Sequence, residues 1–496
     1  MSYNRNSRRE FLRKLACVAC SGGTAAMIPQ LRMMGSALAS TKSLSGYRAL
    51  VCIYLAGGND GWNLVVPYDN TRYNIYAAAR SGVYTTSGAN PNPGGLGLAQ
   101  PAAGNAQIIT DLNDANAATK QYFMHPNAPE LANLYKAGHL AHVINVGTLV
   151  KPIIKNDYNA SAANRPPQLF SHSDQENLWH QANTNGSSVR GWGGLCGDLL
   201  QPSNFNQQLS SCISIAGANR FEVGMSTVPY QLSSGGLTGL SGVCNPSPCA
   251  GVSTTSVRDS ALKGMLTDTY ANDFPGEYAK VFQRGRDLYN LLSAGLAATT
   301  LTTAFPTTNN SLASQLQTVA KMIKLSKSQN YAQRQIYYVR YGGFDLHAGM
   351  MSGTGNHGQL LSAVSQAMNA FYTAMGPSDV NAQSEVTAFT ASEFGRTLQS
   401  NGSGSDHAWG SVQMVMGGAV LGGKLYSDGG GLISGFPDQS LTAANNFSRG
   451  QMIPGISVEQ YAATLAQWLG VTSPTDLNAI FPNLANFSGH TNLGFV

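Results

Sequence analysis

Four acids and two histidines of this chain stand at the ends of short apolar runs, where a folded sheet would gather them. Asp60 follows the run 48–55 (RALVCIYL) after a Gly-Gly turn, and Asp345 and His347 follow 335–341 (QIYYVRY) within GGFDLHAG. Glu393 lies just beyond 386–391 (VTAFTA), and Asp406 with His407 occupies the loop that enters 412–417 (VQMVMG). Carboxylate oxygens mixed with imidazole nitrogens suit Zn²⁺, Mn²⁺ or a Mg²⁺/Ca²⁺ position, and do not suit copper or an iron–sulfur cluster. Two such ions close together can hold both the attacking and the leaving oxygen of a phosphoryl or sulfuryl transfer. Singly, each feature is weak: an Asp after Gly-Gly is usually a turn residue, a single histidine is more often structural than a ligand, and Asp-x-His can also be a simple side-chain hydrogen bond. Their shared position at strand ends is what points to chemistry.

A hydroxyl nucleophile would complete the scheme. Ser171, with His172 and Ser173, precedes a helical stretch in FSHSDQENLW, and helix N-terminal N–H groups can bind an oxyanion. The same serine could equally be an N-cap. Arg396, three residues after Glu393, can grip a substrate anion bidentately or hold Glu393 still. His125 and His172 can support ligands or touch substrate. His139, His142, His180, His357 and His490 read as structural or surface residues, and Trp62, Trp192 and Trp409 as core packing or pocket walls.

Positioning these groups requires strands that alternate with helices. Six apolar runs read as buried strands: 48–55, 140–146, 212–216, 335–341, 386–391 and 412–417. Between them, Leu312, Leu316, Val319 and Ile323 recur at helical spacing within 311–328, and 128–137, 257–272, 277–298, 357–375 and 458–469 read similarly. The alternation predicts an α/β fold, a large mostly parallel sheet covered by helices on both faces. Ligands of such a sheet bind beyond the strand carboxyl ends, which is where the acids and histidines fall. The pattern favours one domain over residues 40–496, with loop insertions near 81–118 and 231–256 that are rich in Gly, Ser, Pro and Asn.

The first 39 residues read differently. Arg8-Arg9 with Phe11 and Leu12, a mildly apolar stretch to Leu31 and the triplet Ala37-Leu38-Ala39 look like a twin-arginine (Tat) export signal. This predicts a periplasmic or secreted protein carried by the Tat translocase. The segment holds six Lys/Arg and one acid, so the remainder has 30 − 6 = 24 basic and 25 − 1 = 24 acidic residues. A neutral body argues against nucleic acid as a partner, and no later run is long enough to span a membrane. Of five remaining cysteines, Cys244 and Cys249 are the best disulfide pair, Cys196 with Cys212 is possible, and Cys52 reads as buried.

Six motifs also carry a resemblance: LAGGNDGWNLVVP (55–67), HPNAPELANLYKAGHLAHVINVG (125–147), SHSDQ (171–175), YGGFDLHAGM (341–350), TASEFGRTLQSNGSGSDHAWG (390–410) and RGQMIPGISVEQYAATLAQWLGV (449–471). Together they resemble the DUF1501 family of exported bacterial proteins, grouped with the alkaline phosphatase and sulfatase superfamily. The resemblance implies a two-metal α/β sandwich, with one site from Asp345, His347 and His407 and another from Asp60, Glu393, Asp406 and Ser171. Phe394 stands where that superfamily places a histidine.

The predicted function is therefore an exported hydrolase of a phosphate or sulfate ester, on a small molecule or polymer, using divalent metal ions (Zn, Mn, Mg or Ca). The alternative is a non-catalytic exported binding or surface protein that retains the fold. An α/β-hydrolase is disfavoured because no G-x-S-x-G elbow exists, and a formylglycine sulfatase because no Cys-x-Pro-x-Arg exists.

Overall fold

The computed structural model describes residues 44–114, 120–184, 186, 188–237, 239–245, 247, 249, 251–270, 273–427, 436–487 and 491–496. Residues 1–39, expected from the sequence to be an export signal, and His490 lie outside the described residues. Among the described residues the main sheet has nine strands, labelled here in chain order: β1 (Arg48–Leu55), β2 (Leu140–Gly147), β3 (Cys212–Ser214), β4 (Tyr230–Gln231), β5 (Arg334–Tyr341), β6 (Val386–Ala391), β7 (Ser411–Met416), β8 (Leu425–Tyr426) and β9 (Ile456–Ser457). Their spatial order is β8-β2-β7-β6-β1-β5-β3-β4, with β9 also paired to β2. All six predicted strands are present.

Burial on both faces explains why these strands are continuous apolar runs instead of alternating ones. Along β1 the side chains still alternate in direction. Ala49, Val51, Ile53 and Leu55 join one core with the helices Ser311–Ser328 and His357–Ala374. Leu50, Cys52 and Tyr54 join a second core with the helices Trp192–Leu200 and Val458–Leu469. The four helical positions read from the sequence, Leu312, Leu316, Val319 and Ile323, are fully buried in the first core. Asn310 caps that helix by accepting from the Ala313 N–H.

One strand departs from the parallel expectation. β7 runs antiparallel to both β6 and β2, whereas β1 pairs parallel with β5 and β6. Parallel neighbours need a crossover, usually helical, and residues 392–410 contain no helix, so the chain turns straight back. The amino end of β7 consequently lies beside the carboxyl ends of β6, β1 and β5.

The 81–118 stretch is not a bare loop: Ile108–Thr110 adds a strand to a small antiparallel sheet with Val65–Pro67 and Gln121–Met124. The 231–256 stretch is largely irregular and is closed by the Cys244–Cys249 disulfide. Cys52, Cys196 and Cys212 are buried and free, so the possible Cys196–Cys212 bridge does not form. Among the described residues no helix is long and apolar enough to cross a membrane.

Candidate metal centre

At the carboxyl edge of the sheet, three imidazole rings turn toward one carboxylate. His407 Nε2 lies 3.0 Å from both His172 Nε2 and His347 Nε2. Asp345 Oδ1 lies 3.1 Å from His347 Nε2 and 3.4 Å from His407 Nε2, and its Oδ2 lies 3.5 Å from His172 Nε2. The donors of His172, Asp345 and His407 all lie within 4.8 Å of one another, the only such group among the described residues. His347 adjoins this group from the His407 and Asp345 side. A tetrahedral zinc ion with bonds of about 2.0–2.1 Å would place its donors about 3.3–3.4 Å apart, close to these spacings.

Each ring is held by its other nitrogen. His172 Nδ1 meets Glu393 Oε1 at 2.8 Å, His407 Nδ1 meets the Phe170 carbonyl at 2.8 Å, and His347 Nδ1 meets Asp406 Oδ1 at 3.1 Å. Carbonyl and carboxylate oxygens only accept, so each Nδ1 must donate. With Nδ1 so engaged, each ring in its neutral form presents a bare Nε2 lone pair to the centre, an arrangement typical of histidines that ligate metals. Phe394 supplies the apolar floor, its ring centroid 4.8 Å from that of His172 and 4.6 Å from that of His407.

Local sequence explains the delivery. Asp345 reaches the centre because the backbone at 344–345 packs on Gly57 (φ +116°), where a Cβ would fall 2.4 Å from the Asp345 nitrogen. Gly58 (φ +80°) likewise makes room for the Phe394 ring. The Phe170 carbonyl is aimed by a short loop in which Gln168 and Phe170 themselves adopt positive φ, +48° and +78°. The buried Gln175 amide holds that loop by donating to the carbonyls of Pro167 and Gln168 at 3.0 and 3.1 Å.

These positions revise several roles read from the sequence. Glu393 and Asp406 stand behind histidines instead of facing the centre. Glu393 also accepts from the Gly57 N–H at 2.7 Å, while Asp406 also accepts from Asn401 at 3.0 Å and pairs with Arg449. Asp60 takes no part: it is buried, ion-paired to Arg80, and caps the 3₁₀ turn Gly61–Asn63. The second metal site expected from Asp60, Glu393, Asp406 and Ser171 does not assemble. Arg396 is buried and engaged through all three of its nitrogens, donating to the carbonyls of Gly57, Gly58 and Ser405 and to Asp345. It clamps a carboxylate of the protein and is not free for a substrate anion. Ser171 is the residue before the helix His172–Gln181, and its hydroxyl donates to Asp174 Oδ2 at 2.6 Å without capping the backbone.

His172, first read as a catalytic or supporting group, belongs to the convergent set. Arg80, Gln175, Arg449 and the Phe170 carbonyl were missed, because nothing local in the sequence marks a distant partner. His125 lies apart, buried against His357, with its Nδ1 accepting from the Asn127 N–H at 3.1 Å. His142, His180 and His357 are buried, and burial pushes each ring down to about 3. Trp62, Trp192 and Trp409 are all core residues.

The electrostatics follow from the same contacts. Burial tends to raise Asp345 and Glu393, but the Arg396 guanidinium for the first and the His172 hydrogen bond for the second hold both below the ordinary carboxylate range. The Glu393 hydrogen bond raises His172, whereas burial lowers His407.

Residues 309–475 match the family described as "Protein of unknown function (DUF1501)". That span holds Asp345, His347, Glu393, Arg396, Asp406, His407 and Arg449, and it omits Asp60, Ser171 and His172. No curated protein matches the chain.

Four outcomes are expected from these contacts. Glu393→Gln should weaken divalent-metal affinity by about 10–100-fold, because it loosens His172; a competition titration against a chromophoric chelator measures this. A proton on His172 competes with a cation, and its pKa lies above the ordinary 6.5. Affinity should therefore fall as pH drops through that raised value and strengthen above it; affinity flat with pH across that range would remove His172 from the ligand set. In the cation-free protein the sign is opposite: the raised His172 pKa contributes stability that is complete below 6.5 and lost as pH rises through the folded value. Finally, Arg80→Met should destabilise the fold by about 3–5 kcal/mol, read from denaturant midpoints, because it strands the Asp60 carboxylate in the interior.

Proposed function

We propose that the protein is an exported, metal-dependent hydrolase of phosphate or sulfate esters, with one catalytic cation held by His172, Asp345 and His407 and closed by His347. The observation that carries this reading is the convergence of three Nε2 lone pairs on one carboxylate, each ring tied through Nδ1 to an acceptor. Neutral imidazoles beside one carboxylate suit Zn²⁺ or Mn²⁺ better than Mg²⁺ or Ca²⁺, which prefer oxygen donors. When bound, such a cation polarises an ester oxygen and lowers the pKa of a water.

The protein's own groups do the rest. Asp345, with Arg396 fixed behind it, supplies the one anionic donor, so a divalent ion there keeps positive charge for an anionic ester. Glu393 and Asp406 orient His172 and His347, and Phe394 keeps water from beneath the rings. Side-chain exposure of 36% at His172, 45% at His347 and 47% at Asp345 leaves the outer side open to a substrate. Ser171, with Asp174 positioned to take its proton, is the candidate nucleophile besides water. Kinship with the alkaline phosphatase and sulfatase superfamily is supported by the strand-end placement of the cluster, in a form with one metal instead of two. Export through the twin-arginine route is supported by Arg8-Arg9 and fits the Cys244–Cys249 disulfide, which suits an oxidising compartment.

Metal analysis of the exported full chain is expected to find one equivalent of zinc or manganese. Hydrolysis of aryl phosphates or sulfates should be lost with a chelator, restored by that metal, and abolished in His407→Ala and Asp345→Ala. Ser171→Ala should abolish turnover if the serine attacks and leave most of it if water does. Metal binding without turnover of any ester would favour the non-catalytic alternative, and absence of both would end the reading.

A further inference from the structure

A cleft of about 610 Å³ opens beside the metal centre, lined by Tyr158, Ala162, Ala163, Arg165, Pro166 and Phe170 among others. Phe170 joins the two sites, since its carbonyl holds His407 and Ser171-His172 follow it in the chain. Within the cleft Arg165 is held rigid. Its Nε donates to the Tyr158 carbonyl at 2.9 Å and its guanidinium carbon lies 4.2 Å from the Tyr158 ring centroid. The Phe447 ring lies 4.2 Å from the same centroid, and two groups can approach that closely only on opposite faces. Tyr158 is thus fixed from behind and supports a flat, preorganised cation in front.

Both Nη groups of Arg165 lack a partner among the described residues, in contrast to Arg396, whose three nitrogens all donate within the protein. A guanidinium with its Nε anchored and its Nη fork free matches the two oxygens of a carboxylate or phosphoryl group. The small apolar walls at Ala162, Ala163 and Pro166 suit the chain or ring that carries such a group.

We infer that this cleft binds a second, non-reacting anionic group of the ester substrate on Arg165, so that the preferred substrates are esters bearing a carboxylate or further phosphate on the leaving-group side. The inference rests on the hydrolase reading for the identity of the ligand as a substrate, but not for the binding itself.

Alkyl phosphates of graded length ending in methyl or in carboxylate separate the two. Calorimetry on the metal-loaded full chain should show, at one favoured length, about tenfold or greater preference for the carboxylate ending, the effect of one charge-assisted bidentate contact. Arg165→Gln should erase that preference while leaving the methyl-ended series unchanged. Ala163→Trp, which fills the cleft and keeps the charge, should erase it as well. No preference at any length, or a preference that survives either substitution, overturns the inference. Selective binding without turnover would leave the cleft standing and count against the hydrolase reading alone; turnover without selectivity would do the reverse.

Discussion

Three imidazole rings turn one nitrogen each toward a single carboxylate only because the protein forces them to. Here the force is distributed over hydrogen bonds on the far side of each ring: Glu393 for His172, the Phe170 carbonyl for His407 and Asp406 for His347. Each anchor is itself anchored. Glu393 is pinned by the Gly57 N–H, Asp406 by Arg449 and Asn401, and the Phe170 loop by the Gln175 amide. The cluster is held by a surrounding set of satisfied polar groups, which is the pattern that orients histidines for a cation.

The sheet makes this possible through one reversal. Because β7 returns antiparallel, its entry loop carries His407 back across the carboxyl ends of β6 and β1. There it meets Asp345, at the end of β5, and His172, which is held by Glu393 at the end of β6. Had residues 392–410 formed a crossover helix, the Asp406-His407 pair would sit at the opposite edge. Close approach of these loops then depends on positions without a side chain, since a Cβ at Gly57 would strike the backbone of Asp345 and one at Gly58 the ring of Phe394.

Two buried arginines show how a charge near a site can be structural. Arg396, within the loop at 393–399, holds Asp345, and Arg80 beneath that loop holds Asp60 and the Thr397 carbonyl. Neither is free to meet a ligand. Arg165, partly exposed and braced against an aromatic ring, has the opposite character: its position is fixed but its outer donors are unused.

Much was legible in the chain itself. Strands buried on both faces write themselves as continuous apolar runs, and amphipathic helices as residues at intervals of three and four, because local burial sets both patterns. Strand-end placement marked Asp345, His347 and His407, and the short Cys244–Cys249 spacing marked its own disulfide. The division of labour among the polar groups was not legible. Whether Glu393 faces the centre or a histidine, whether Asp60 meets a metal or Arg80, and whether Arg396 or Arg165 is free all depend on partners separated by tens to hundreds of residues. The sequence by itself determined six of the sheet's strands, most of the helices that cover them and several of the chemical groups at the sheet edge. Only the tertiary structure decided which of those groups satisfy one another and which are left to face outward, because hydrogen-bond pairing is settled by distance in space and not along the chain.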